Sequence, residues 1–113
     1  DRSVVAGDPW FDKYIFPHGM LPSVAQLGKS FDDLFVLEDW HNFGPDYDKT
    51  LMAWFHNFNK SWPLFEQLYG PRFYRMWSYY LLSLAGSFRA RKIQLWQVVL
   101  AKDGKQGHYE PVR

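Results

Sequence analysis

The stretch Ile93-Gln94-Leu95-Trp96-Gln97-Val98-Val99-Leu100 decides the fold class. Its β-branched and aromatic residues make it a strand, and its near-continuous apolar character is that of a strand covered on both faces. A covered strand needs a sheet around it, yet the chain offers one further strand. That is Leu34 to Phe43, where Phe35, Leu37 and Asp39 alternate with Leu34, Val36, Glu38 and Trp40, apolar on both faces at first. Two strands are marginal by themselves, so the Ile93–Leu100 strand is expected to have another element against it.

Helices fill the rest. The strongest helical signal follows Gly70-Pro71, where Phe73, Met76, Trp77, Tyr80, Leu81, Leu84 and Phe88 recur every three or four residues, giving about five turns. Upstream, Gly44-Pro45-Asp46 ends the first strand, and Asp46 is expected to cap a helix carrying Tyr47, Leu51, Trp54, Phe55 and Phe58 as far as Pro63. Asp8-Pro9 opens a short helical turn through Trp10, Phe11 and Tyr14. Pro17, Gly19 and Pro22 then shape a loop over residues 16–22, and Ser23 to Ser30 forms a short helix. The expected class is α/β, two strands with several helices, in one segment over residues 1–101 followed by a polar tail over 102–113.

At 113 residues, one small core is the limit. Six Trp, seven Tyr and ten Phe supply its apolar surface mainly as rings. The 13 basic and 12 acidic side chains are interspersed and sum to +1, which disfavours nucleic acid as a partner. With no cysteine there is no disulfide framework and no thiolate chemistry. No apolar run reaches the ~20 residues of a membrane span, and the opening residues are polar and acidic rather than a signal sequence, so contact with a membrane is expected to be peripheral.

Few residues announce chemistry on their own. Asp39 and His41 share a strand face beside Glu38, and the favoured reading is a polar strand end bonded to the following turn, since no second His stands at ligand spacing. His18, His56 and His108 read as surface residues. Arg89 and Arg91 fit the negative end of the long helix's dipole, and an anionic headgroup or phosphate is the other reading. Tyr47 reads either as a core ring or as a hydroxyl held near the strand end, a common place for active-site loops. No Gly-rich turn joins a strand to a helix, so the chain shows no nucleotide site of its own.

Three longer strings carry a resemblance. Tyr14-Ile15-Phe16-Pro17-His18-Gly19-Met20-Leu21-Pro22-Ser23 is one. Glu38-Asp39-Trp40-His41-Asn42-Phe43-Gly44 with Asp46-Tyr47-Asp48 and Thr50-Leu51-Met52-Ala53-Trp54 is the second. Ala85-Gly86-Ser87-Phe88-Arg89-Ala90-Arg91 with Ile93-Gln94-Leu95-Trp96-Gln97-Val98-Val99 is the third. Together they resemble the C-terminal part of the bacterial cyclopropane-fatty-acyl-phospholipid synthases almost continuously from residue 8 to 100. The related mycolic acid cyclopropane synthases keep a thinner version of the same pattern.

The resemblance implies a class I S-adenosylmethionine-dependent methyltransferase fold, Rossmann-like and seven-stranded, of which this chain supplies the last two strands as an antiparallel pair. It implies methyl transfer from S-adenosylmethionine to the cis double bond of a phospholipid acyl chain, then proton loss and ring closure through a carbocation. The cofactor site would lie upstream of the matched segment, leaving this segment inactive alone. Tyr47 would hydrogen-bond the bicarbonate ion that takes the proton. Phe16, Tyr80, Leu84 and Phe88 would line the acyl pocket, although core packing selects the same residue types. The expected partners are unsaturated phospholipid chains, at the inner face of the membrane of a cytoplasmic, peripheral protein. Self-association into a dimer or larger assembly through the edge of the Ile93–Leu100 strand is also expected. The competing reading is a non-enzymatic lipid- or protein-binding module with an aromatic apolar face.

Overall fold

The computed structural model describes residues 7–102, 104 and 106–112. The elements run α1 (Pro9–Tyr14), α2 (Val24–Phe31), β1 (Phe35–Asn42), α3 (Gly44–Ser61), a 3₁₀ turn (Trp62–Leu64), α4 (Glu66–Arg89) and β2 (Trp96–Lys102). β1 and β2 pair antiparallel in a two-stranded sheet. The chain divides into two compact units, one of residues 1–41 with 97–113 and the other of residues 42–96.

In the first unit the local signals act as expected. Asp8 caps α1 by accepting from the Trp10 N–H at 2.9 Å, with Pro9 in the first turn. Ser23 and Gln26 form a reciprocal capping box on α2, each side chain accepting from the other's backbone N–H. Among the described residues, the strands are not covered on both faces. Phe35, Val36 and Leu37 are exposed, and in β2 only Val98 and Val99 are neighbours that are both half-buried. A sheet of two strands has too little of this chain against it to bury their apolar runs.

The second unit is an α3–α4 hairpin. Leu51, Leu81, Ala85 and Phe88 are its buried core, with Tyr47, Phe55, Phe58, Trp77, Tyr80 and Leu84 packed around them. Gly70 breaks α4 with φ 74° and ψ 172°, immediately before Pro71, so the long regular helix begins where the Gly-Pro punctuation places it. At its other end Ala90 is the C-cap and Arg91 takes φ 56°. The Arg91 N–H donates to the Phe88 carbonyl and the Lys92 N–H to the Ser87 carbonyl, both at 3.0 Å, which is a Schellman ending with arginine where glycine is usual.

Two expected boundaries move. Asp46 does not cap α3, because the helix starts at Gly44 with its first bonds running from Asp46 and Tyr47 back to the Phe43 carbonyl. The Gly44 N–H is satisfied instead by the Asn42 Oδ1 at 3.2 Å, and Asp46 lies in the first turn, paired with Lys49 at 3.6 Å. The second strand starts at Trp96 rather than Ile93 and runs to Lys102. Ile93 and Leu95 pack against the helical core, which turns their side chains to a use that β-propensity does not describe.

Candidate functional site at the base of the helical hairpin

The base of the hairpin is tied together by main-chain and amide bonds. The Phe43 N–H donates to the Leu95 carbonyl at 3.0 Å. The Asn42 Nδ2 donates to the Gln94 Oε1 at 2.8 Å, and the Gln94 Nε2 donates to the Arg91 carbonyl at 2.9 Å. Both amides thus bond in two directions and join the start of α3 to the segment after α4. Asp48 and Arg89 add a bidentate pair, with the guanidinium Nε and Nη2 each 2.9 Å from a carboxylate oxygen. This pair, between α3 and α4, raises the Arg89 pKa first through the hydrogen bond and then through the charge of Asp48. Gly44 permits the close approach, since a Cβ there would lie 3.3 Å from Phe88 Cδ1.

Tyr47 projects from the first turn of α3 into this frame. Its ring meets Phe88 edge-on at 5.1 Å and Trp54 edge-on at 5.8 Å. Tyr80 on α4 has its phenol pKa raised, mainly by burial and then by the charge of Tyr47. Leu84, one turn further on, packs on the core, and Phe88 is 6% exposed. A ladder of rings continues along α4 away from the base, from Tyr80 to Trp77 at 5.0 Å, to Phe73 at 5.8 Å and to Tyr69 at 4.6 Å. Phenolic hydroxyls can donate to an anion, and the faces of such rings favour a cation.

Against this geometry, the family model for mycolic acid cyclopropane synthetase matches residues 1–98. The chain belongs to that family. It is 57% identical over 100 residues to the cyclopropane-fatty-acyl-phospholipid synthase of Escherichia coli K12, covering 88% of this chain and 26% of that protein. The synthase of Citrobacter freundii is 49% identical over 84 residues, 74% of this chain and 94% of that sequence. Among solved structures, the cyclopropane synthase MmaA2 from Mycobacterium tuberculosis superposes with a TM-score of 0.77 at 26% identity, over 82% of this chain and 33% of that one. The mycolic acid cyclopropane synthase CmaA1, solved with SAH and CTAB, gives the same values. This chain therefore spans about a quarter of the E. coli relative. The α/β class and the antiparallel strand pair agree with these neighbours.

Within the family frame, four of the five site residues expected from the sequence, Tyr47, Tyr80, Leu84 and Phe88, gather in one unit. The fifth, Phe16, lies in the other, half exposed in the loop after α1, with its N–H donating to the Phe11 carbonyl at 2.8 Å. Sequence reasoning assigned Arg89 to the helix dipole and missed Asp48 as its partner. The signal was present, because each falls inside one of the family strings, but nothing local links positions 41 residues apart.

The remaining polar candidates belong to the first unit or the surface. Glu38 lines a cleft of about 210 Å³ with Val99, Leu100, Ala101 and residues 106–109, which include His108 and Tyr109. It contains none of the residues at the hairpin base. His18 has φ 60° and donates its N–H to the Asp12 carboxylate at 2.8 Å, a local turn. His56 lies exposed on α3. Among the described residues, no three His, Cys, Asp or Glu side chains come together as metal ligands. Nor do the described residues fit S-adenosylmethionine. Gly70 is inside α4, while Gly104 and Gly107 follow β2, so no glycine with positive φ joins a strand to a helix.

Proposed function

We propose that this chain acts as the C-terminal segment of an S-adenosylmethionine-dependent cyclopropane-fatty-acyl-phospholipid synthase, and that its hairpin base forms one wall of the acyl pocket. The observation that carries this reading is the convergence of Tyr47, Tyr80, Leu84 and Phe88 in a chain 57% identical to the E. coli synthase. When bound, S-adenosylmethionine supplies the methyl group, and its site is assigned to the part of the relatives that this chain does not span. The residues here would exclude water from the acyl carbocation and set ring faces around it. Tyr47 would donate its hydroxyl hydrogen to a bicarbonate ion that removes the proton, oriented by the Phe88 edge contact and the fixed start of α3. Phe16 would be an acyl-pocket residue on the family resemblance alone.

The intact enzyme would work from the cytoplasm, peripherally, on unsaturated phospholipid chains at the inner face of the membrane. No helix among the described residues is long and apolar enough to cross one. This chain by itself would be inactive, and would associate through the strand edge of β2. The test is a graft of the chain in place of the matching quarter of the E. coli synthase, in cells lacking their own, with cyclopropane fatty acids measured by gas chromatography. Product is expected from the graft and none from the chain alone. Tyr47→Phe should lower turnover about tenfold or more by removing one charge-assisted hydrogen bond, at unchanged protein level. A folded graft without product would sink the assignment, and full activity of Tyr47→Phe would remove that residue from the mechanism.

A further inference from the structure

Asp48 follows Tyr47 on α3 and Arg89 follows Phe88 on α4, so the bidentate ion pair stands one residue along from the edge-on contact of the two rings at 5.1 Å. The helix dipole accounts for Arg89, in the last turn of α4. It does not account for Asp48, which is the fifth residue of α3 and lies past the turn in which the dipole favours an acid. Nor does it ask the two to meet with Nε and Nη2 each 2.9 Å from a carboxylate oxygen, a two-point contact that fixes direction as well as distance. Asp46 and Lys49 show the ordinary case on the same helix, three residues apart at 3.6 Å with both side chains exposed. The Asp48 side chain is only 14% exposed, whereas Arg89 is 64% exposed and water screens the attraction. The pair is therefore worth little as energy and more as geometry.

We infer that Asp48 and Arg89 are positioning residues, a brace that fixes the roll of α3 against the end of α4 and so the direction in which Tyr47 carries its ring. The start of α3 needs one. Its N-cap residue Phe43 supplies no side-chain bond to the first turn, and Pro45 has no N–H to donate. Consecutive helical residues stand about 100° apart, so the brace grips the flank of α3 while Tyr47 keeps the face toward Phe88. Any roll is amplified at the phenol hydroxyl, where a misplacement of about 1 Å is costly to catalysis. Lysine at position 89 would keep the charge and lose the fork, and asparagine at 48 would turn a donor toward the guanidinium. The inference rests on the proposed function for what Tyr47 does, and on the ring and ion-pair geometry for how it is held.

The experiment compares Arg89→Lys and Asp48→Asn with the parent in two measurements. The first is NMR of the chain with isotope-labelled tyrosine, the Tyr47 ring signal being identified by its loss in Tyr47→Phe. That signal carries the ring currents of Phe88 and Trp54, edge-on at 5.1 and 5.8 Å, and should collapse toward the free-tyrosine position in both variants. The Tyr74 signal, held by the Phe58 stack and the bond to Asn59, is the internal control and should stay. A pair that merely added stability would lower the urea midpoint and leave the folded Tyr47 signal in place. The second is kcat and KM of the grafted synthase with S-adenosylmethionine and vesicles of unsaturated phospholipid. Both variants should lower kcat about tenfold at unchanged KM, and cost nothing further in the Tyr47→Phe background, because they act through that ring. The inference is overturned if the Tyr47 signal stays at its parent position in either variant, or if it moves while kcat stays. A graft inactive throughout would sink the role proposed for Tyr47, and the ring signal would still decide whether the pair positions it.

Discussion

Placing a methyl group at Gly44 tests whether the hairpin base is as tightly built as its distances imply. The added Cβ would stand 3.3 Å from Phe88 Cδ1, and 3.5 Å from both Asn42 Oδ1 and Leu95 N. The second and third are ordinary contacts, so the Phe88 ring must give way. It has little room, being 6% exposed and held edge-on by Tyr47 at 5.1 Å. Overpacking of this kind costs about 1–3 kcal/mol, and the better helix propensity of alanine offsets less than about 1 kcal/mol of it. Gly44→Ala should therefore destabilise by about 1 kcal/mol. Phe88→Ala alone should cost about 3–5 kcal/mol through the cavity it leaves. In the double variant the ring that obstructs the new methyl is gone and the methyl fills part of that cavity. Gly44→Ala then becomes neutral or stabilising, a coupling of about 1–2 kcal/mol. Urea unfolding of the four chains, followed by circular dichroism in a common concentration of sucrose to keep Phe88→Ala folded, measures it. Additivity within about 0.5 kcal/mol would show that the ring moves freely and refute the reasoning.

Two further outcomes are expected. Because burial and the neighbouring Tyr47 raise the Tyr80 pKa, the folded state holds that proton to higher pH than the unfolded chain. Stability from this source is intact below the ordinary tyrosine value of about 10 and falls as pH rises through the folded value. Tyr80→Phe should flatten the alkaline limb of stability against pH, and Tyr47→Phe should lower the Tyr80 midpoint seen by phenolate absorbance. A two-stranded sheet with exposed Phe35, Val36 and Leu37 also predicts association of the isolated chain, read by sedimentation velocity across a dilution series. A monomer at all concentrations would remove the strand edge as an assembly surface.

Helices whose ends are written in adjacent residues were legible in the sequence. Asp8-Pro9, Ser23 with Gln26, and Gly70-Pro71 each satisfy or remove a backbone N–H within a turn, so local chemistry suffices. Legibility failed where distant groups do the same work. Asp46 had the right residue type for a cap, but Asn42 reached the orphan donor first, helped by Gln94 from the other end of the hairpin. Ile93 and Leu95 have strand propensity, yet the left-handed turn at Arg91 delivers them onto the core before the strand begins. Helical spacing made it legible that Tyr80, Leu84 and Phe88 share one face of α4, while their assignment to a site came from the family resemblance alone. The Asp48–Arg89 pair was not legible, since an arginine at a helix end already has a sufficient local explanation.

The two ends of the hairpin are built for different work. At the base, a backbone bond, two amides bonded in both directions and a bidentate ion pair fix α3 against the end of α4. A hydroxyl that must meet a small anion needs such support, because an error of about an ångström is costly to catalysis. Nearer the tip the Tyr74 hydroxyl donates to Asn59 Oδ1 at 2.7 Å between the helices, and ring stacking takes over from there. Rings hold shape without demanding a fixed polar partner, and they present apolar faces and edges along the whole route. Under the proposed function, that contrast would set a fixed hydrogen-bond donor at the base and water-excluding ring surface along the rest of the hairpin.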